Sequence, residues 1–370
     1  MAEPPLPTVL HYTGYDDDRG GIASVLATLA GAQAFPCVMG VNRGHVARRF
    51  PALARLEFPP LAGERLGPRT WWRARAVARE VRAWLAADPA RVFHGHSRAG
   101  LAVALHLHAA GERRVAATVH CYGRQRWYYR RAARRLAGRL CWLSPAMRAY
   151  YGLAGSGSDP WQGCLPGCVP ELAANPLPRT TGSSQGLRLA GVGTLTRWKR
   201  WHLVLEALAA LPASQRSGVR FRHIGGADGS DDARAYAAEL RQATARLGLA
   251  AAVEWGGEQP SAAPLLAQAD ALVVASAYEP FSVAMLEALF AGVPVIAADS
   301  GGARDLVHPP VNGWLFRTDD PVDLARALDT AAAALAEGPA SIDRPALERF
   351  TATASARRHL EFYRQVLHPR

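Results

Sequence analysis

The stretch "YEPFSVAMLEALFAGVPVI" (Tyr278–Ile296) sets two acids, Glu279 and Glu287, in an otherwise uncharged and largely apolar run. Acids are rarely buried without a partner, so the run needs a structural reason. It follows "ALVVAS" (Ala271–Ser276), which reads as a buried strand, so Glu279 falls in a loop at a strand's carboxyl end. Pro280 suits a turn or a first helical position, and Ser282 is a candidate N-cap. The helix is expected to reach about Ala291, with Gly292 as its stop and Pro294 beyond. The free amides near Phe281–Ala284 then point out of the helix start, where an anion is stabilised. Glu287 lies roughly one and a half turns into this helix, so the two acids are not an i,i+4 pair. They flank an anion-ready helix start, where two carboxylates near one ligand can bind sugar hydroxyls. Spacing alone leaves the alternative of a helix-start acid and a solvated helix acid.

Outward from this corner the chain keeps one rhythm. "TVLHYT" (Thr8–Thr13), "RVFHGH" (Arg91–His96), "RVAATVH" (Arg114–His120) and "LCWLS" (Leu140–Ser144) are strand-like, each followed by a helical segment; the first leads through a Gly-rich loop to a helix from near Ile22. "LRLAGVG" (Leu187–Gly193), "VRFRHIGG" (Val219–Gly226), "AAVEWGG" (Ala251–Gly257), "ALVVAS" and "VPVIAA" (Val293–Ala298) continue the series. The alternation predicts α/β architecture with parallel sheets covered on both faces, in two doubly wound, Rossmann-like domains. Between the series, Gly152–Gly186 is rich in Gly, Pro and Ser and reads as a linker with irregular loops. The expected domains are residues 1–170 and 176–350, with a helix near 350–370 packing back on the first. Two such domains face each other across a cleft, and ligands of such sheets sit beyond the strands' carboxyl ends.

A chain of 370 residues, 49% of them hydrophobic, can bury two cores. Its start, Met-Ala-Glu-Pro-Pro, lacks the basic and apolar regions of a signal peptide, and no uncharged apolar run is long enough to span a bilayer. A cytoplasmic protein is expected. The cysteines Cys37, Cys121, Cys141, Cys164 and Cys168 read as idle or buried thiols, since Cys164 and Cys168 have no second Cys or His pair to complete a zinc site. The net charge of +12 is uneven: residues 1–175 hold 23 Lys+Arg against 11 Asp+Glu, whereas residues 176–370 hold 20 of each. The two halves are therefore expected to face different partners.

"EPFSVAMLEALFAGVPVIAADSGGARDLV" (Glu279–Val307) resembles the donor-site signature of the retaining glycosyltransferases of family 4, also called group 1, which have the two-domain GT-B fold. Glu279, Pro280, Phe281, Glu287, Ala288, Gly292, Pro294, Gly301 and Gly302 keep that pattern; Ser282 stands where Gly is usual, and Ala303-Arg304-Asp305 also departs. "GGIASVLATLA" (Gly20–Ala30), "FHGHSRAG" (Phe93–Gly100), "TVHCYG" (Thr118–Gly123), "AANPLP" (Ala173–Pro178), "IGGADG" (Ile224–Gly229) and Leu240–Gly257 extend the resemblance over most of the chain. "VGTLTRWKRW" (Val192–Trp201) is least faithful: Lys199 falls on the family's diphosphate lysine, but Thr194 replaces an Arg and Arg200 a Gly.

The resemblance implies roles. Glu287 binds the ribose hydroxyls of a nucleotide and Glu279 those of the transferred sugar, with Phe281, Ser282 and Val283 alongside. Lys199, with Arg197 as the candidate for the missing charge and Gly193 in the same loop, stabilises the departing nucleoside diphosphate. His120 lies beside the donor sugar, His96 is a second candidate, and His94 is expected to face the sheet interior; a hydrogen-bonded core or loop residue is the plain alternative for each. Gly20 and Gly21 allow the backbone close to a ligand, or simply make a tight turn. Asp16-Asp17-Asp18 contains an Asp-x-Asp, but ahead of the glycine loop, where a solvated run is expected. No metal or other cofactor is implied; the leaving phosphate itself helps to take the acceptor's proton.

Two stretches carry much of the basic surplus: "RTWWRARAVAREVRAW" (Arg69–Trp84) and "RQRWYYRRAARRLAGRL" (Arg124–Leu140). They read as amphipathic helices with solvated arginine faces, or as contacts with an anionic membrane at the inner face of the cytoplasmic membrane. Nucleic acid is disfavoured, because the family's first domain receives a glycan or lipid-linked acceptor. The expected activity is sugar transfer from a UDP-, GDP- or ADP-linked donor, in surface polysaccharide or lipopolysaccharide biosynthesis. A nucleotide-sugar epimerase of the same fold and a non-catalytic nucleotide-binding protein are the alternatives; epimerised sugar formed without acceptor marks the first, and binding without turnover the second.

Overall fold

The computed structural model describes residues 5–18, 20–47, 53–61, 67–153, 159–171 and 186–369; the "AANPLP" motif lies outside them. The chain divides into two compact units, Met1–Cys168 with Arg349–Arg370, and Val169–Glu348.

The first unit is built on six parallel strands, β1 (Thr8–Tyr12), β2 (Cys37–Asn42), β3 (Arg55–Phe58), β4 (Arg91–Gly95), β5 (Val115–Val119) and β6 (Leu140–Trp142), in the order β3-β2-β1-β4-β5-β6. β5 is buried at every position, as a central parallel strand covered on both faces should be. Register sets His11 beside His94 across β1 and β4. The helix Arg98–Ala109 starts hard against β4: Ser97 caps it by accepting from the Gly100 N–H at 3.0 Å, and a Cβ on Gly95 would lie 2.4 Å from the Gly100 carbonyl oxygen. These two glycines of "FHGHSRAG" therefore fix where the paired histidines sit. The C-terminal helix Ala352–Leu367 belongs to this unit and puts Ala356, Tyr363 and Val366 into a core with Val9, Leu29, Phe35 and Val92.

The second unit repeats the plan with β7 (Arg188–Val192), β8 (Arg220–Ile224), β9 (Val253–Trp255), β10 (Ala271–Val274), β11 (Val295–Ala298) and β12 (Gly313–Phe316), ordered β12-β11-β10-β7-β8-β9. Counted within each unit, both sheets run 3-2-1-4-5-6, the doubly wound order, with a switch point at β1/β4 and at β7/β10. Trp201, Phe221, Tyr236, Phe316, Leu324 and Leu328 are among the buried side chains of its core.

The strands read from the sequence are present, shortened at their ends. Three were not read: β2, β3 and β12. The triple-Asp expectation holds in part: Asp16 is exposed and Asp17 half-buried, whereas Asp18 is buried with Arg55 at 4.0 Å, and Asp16 accepts a hydrogen bond from Asn42 Nδ2 at 2.7 Å.

Candidate functional site

In the second unit the site residues gather at the carboxyl ends of β7 and β10. The helix Val283–Phe290 begins where the periodicity placed it, and Ser282 caps it by accepting from the Met285 N–H at 3.3 Å. The Ser at the family's Gly position thus uses its oxygen on the helix start. Gly292, at φ +80°, follows the helix end. Glu279 is 5% exposed, and its carboxylate accepts from Lys199 Nζ at 2.7 Å. Its backbone carbonyl accepts from the Gly302 N–H at 2.8 Å. A Cβ on Gly302 would lie 2.4 Å from the Pro280 carbonyl oxygen, so the Gly301-Gly302 turn is what lets the two loops touch.

Lys199 comes from the short turn Arg197–Lys199 after β7, and its Nζ lies 4.2 Å from the Trp198 ring centroid. The Trp198 carbonyl accepts from the Ala277 N–H at 3.0 Å, joining the β7 and β10 loops. Gly193 closes β7 at φ +147°, and a Cβ on Gly225 would meet its carbonyl oxygen at 1.9 Å. The structure therefore brings Lys199 and Glu279 together, beside the helix carrying Ser282, Val283 and Glu287. Arg197 turns elsewhere. Its guanidinium donates to Asp232 at 3.0 Å and to Glu239 at 2.6 and 2.9 Å, and it lies over the Tyr236 ring. The helix Asp231–Arg246 holds this cation.

The first unit gathers histidines at the equivalent edge. His11 Nδ1 lies 2.9 Å from His96 Nε2, and His96 Nδ1 lies 3.0 Å from His120 Nε2. His94, fully buried, meets the Tyr363 hydroxyl at 2.6 Å and Thr118 Oγ1 at 2.8 Å. Burial pushes these imidazoles towards the neutral form: His11 and His120 down to about 3, His94 and His96 well below the ordinary value. His11, His94 and His96 have nitrogens within 4.8 Å of one another. Both nitrogens of His94 and of His96 already hold hydrogen bonds, so the cluster fits a hydrogen-bonded network and not a cation cage. His96 and His120 line a cavity of about 60 Å³ with Tyr15, Ile22, Arg98 and Tyr129. Gly20 precedes the helix Gly21–Gly31 at φ +97°, and a Cβ on either Gly20 or Gly21 would meet nothing within 4 Å among the described residues. The turn needs Gly20; packing does not need Gly21. Sequence reading missed His11 and Tyr363. A histidine facing His94 across neighbouring strands was the available signal for His11.

The basic stretches form the helices Pro68–Ala86 and Arg126–Leu136, whose apolar sides are buried. Trp72 and Trp127 are 76% and 66% exposed, and Trp72 lines a groove with Pro59, Arg73, Arg75 and Arg79. Among the described residues no helix is long and apolar enough to cross a membrane.

Residues 184–334 match the family model described as glycosyl transferases group 1. The lipopolysaccharide core biosynthesis glycosyltransferase LpsE of Rhizobium meliloti is 28% identical over 138 residues, 37% of this chain and 37% of that protein. A D-inositol 3-phosphate glycosyltransferase of Geodermatophilus obscurus is 36% identical over 144 residues, 37% of this chain and 31% of that one. The chain thus spans about a third of the length of these curated relatives. Among solved structures, Anabaena HepE in complex with UDP superposes with TM-score 0.72 at 20% identity, covering 96% of this chain and 98% of that one. Sucrose-phosphate synthase from Thermosynechococcus elongatus gives 0.75 at 18%, covering 98% and 99%. At these identities the likeness shows the fold, which is GT-B.

Proposed function

We propose that this chain, whose residues 184–334 form a group 1 glycosyltransferase domain, transfers a sugar from a nucleotide-sugar donor to a glycan or lipid-linked acceptor. The observation that carries the reading is the buried Lys199–Glu279 pair at the β7/β10 switch point, beside the capped start of the helix bearing Glu287. A cation next to helix-start amides suits a diphosphate, and a carboxylate suits two hydroxyl donors. Glu279 then holds the transferred sugar, Glu287 the ribose, and Lys199 the negative charge growing on the leaving diphosphate. Anomeric configuration is retained, no metal takes part, and the product belongs to surface-glycan assembly; relatives named for lipopolysaccharide core synthesis support that last step.

UDP-, GDP- and ADP-sugars should be ranked by the thermal shift they give, for the parent chain and for Glu287→Ala. The variant is expected to lose most of the stabilisation by the best donor; full retention would remove the ribose assignment. Turnover in EDTA, with the product's anomer read by NMR, tests the metal-free retaining reaction, and epimerised sugar without acceptor would overturn transfer. The Trp72 groove and its arginines support peripheral contact with an anionic membrane. Co-sedimentation with vesicles containing anionic lipid, but not with neutral ones, is the expected result, and equal binding to both would refute it.

A further inference from the structure

Three rings form one chain from the core to the cavity: His11, His96 and His120. Each link joins an Nδ1 to an Nε2, so the rings point the same way along the chain. A neutral imidazole has one N–H and one lone pair. Each link needs one donor and one acceptor, so the tautomer of one ring dictates the next. The blind end is His11 Nε2, which is buried without a hydrogen-bond partner among the described residues. An orphaned buried N–H is the rarer kind of unsatisfied group, so this nitrogen carries the lone pair. His11 then donates through Nδ1 to His96 Nε2, and His96 donates through Nδ1 to His120 Nε2. Nδ1 of His120 is left as the ring's N–H.

We infer that His96 and His11 are positioning residues that hold His120 neutral, with its Nδ1–H as a fixed hydrogen-bond donor to an oxygen of the ligand. His120 then orients a hydroxyl and does not remove its proton. His94 stands outside the relay, bonded to Tyr363 and Thr118, and its ring packs against that of His96 with centroids 4.0 Å apart. The ligand in question is a hydroxyl-bearing substrate, so this inference rests on the transferase reading for its substrate, though not for its protonation state.

The test is long-range nitrogen–proton NMR on the full chain labelled with 15N-histidine. Near neutral pH, His11, His96 and His120 should all be neutral with the proton on Nδ1. An Nε2–H or imidazolium form of His120 would overturn the inference. His96→Gln offers one amide to donate to His120 and an oxygen to accept from His11, whereas His96→Leu offers neither. His120 should keep its single tautomer in His96→Gln and populate both in His96→Leu. With the best donor, His96→Leu is expected to lower kcat roughly ten- to a hundredfold while affinity for that donor's nucleoside diphosphate is unchanged, and His96→Gln to keep more of the rate. A folded His96→Leu with parental kcat would sink the positioning role. If His96→Leu fails to fold, the parental and His96→Gln spectra decide; if no donor turns over, the spectra still decide, and only the transferase reading falls.

Discussion

The two units share one strand order and put different chemistry at the same place on it. At the β7/β10 switch point stands an ion pair, Lys199 with Glu279. At the β1/β4 switch point stands a link between two uncharged rings, His11 with His96. Both sites are largely buried, so the contrast lies in how each avoids an isolated charge: one pairs it, the other removes it. A fixed pair suits a ligand bearing a diphosphate. A neutral network suits hydroxyls, which need direction more than charge. The sequence shows the same division, with the chain's basic surplus on the first half and a balance on the second; the histidines of the first half add no charge to its buried edge.

The largest effect expected from this contrast is the response to acid. Burial holds His11 and His120 at about 3, His359 at about 4, and His94 and His96 well below the usual value. Their folded values lie below the unfolded one near 6.5. The unfolded chain therefore binds more protons between those limits, and stability is full above about pH 6.5 and falls as the pH drops. His11, His120 and His359 each cost about 2 kcal/mol at pH 5. His94 and His96 add in the same direction, and the sum is a large part of a domain's stability. The second unit has His223 as its strongly depressed histidine, at about 3. Hydrogen exchange at pH 7.5 and 5 should show β1, β4 and β5 losing protection while β7 and β10 keep most of theirs. Equal loss in the two units would break the comparison.

Removing the cation of the other site comes next. Lys199→Met leaves the Glu279 carboxylate buried and unpaired, which costs about 3 kcal/mol, and removes the charge proposed to stabilise the leaving diphosphate, worth about 10²–10³ in kcat on that proposal. Adding Glu279→Gln should restore the melting temperature without restoring turnover. A double variant as unstable as Lys199→Met would mean that the pair is not what holds this corner.

What was legible in the sequence was local. The corner from β10 through Ser282 to Gly292 is written in contiguous residues, since a cap, a period and a stop all act within a few positions. β3 and β12 lie at sheet edges and are four residues each; β3 carries Arg55 and Glu57, and the apolar run of β12 is only Trp314–Phe316, too short to stand out. β2 has a run, "CVMGVN", but no helix among the described residues separates it from β3, so the strand–helix rhythm passes over it. The partners of charged and polar groups were the hardest part. Arg197 meets acids 35 and 42 positions away, and the relay needs β1 and β4 in register before His11 can find His96, and β5 before His96 can find His120. Only the folded sheet creates such pairs.

The smallest effect concerns one corner that both units build. The first helix of each follows a residue at positive φ: Gly20 at +97° before Gly21–Gly31, and Arg200 at +56° before Trp201–Ala210. The family's glycine at position 200 thus has a backbone reason, and the arginine accepts the left-handed conformation at a cost of about 1 kcal/mol. Its ion pair with Asp319 is half-exposed and offsets little of this. Arg200→Gly relieves the strain but loosens the unfolded chain, so its net gain should be small, about 0.5 kcal/mol or 1–2 °C. Arg200→Ala keeps the strain and loses the pair. The glycine variant should therefore melt about 2–4 °C above the alanine variant, a gap of about 1 kcal/mol. Gly20→Ala should fall further below the parent, by about 1–3 kcal/mol, because φ +97° with ψ 172° is open to glycine and hardly to any side chain. If alanine and glycine at position 200 melt together, the arginine is held there by contacts and not tolerated against its backbone, and the likeness between the two corners fails.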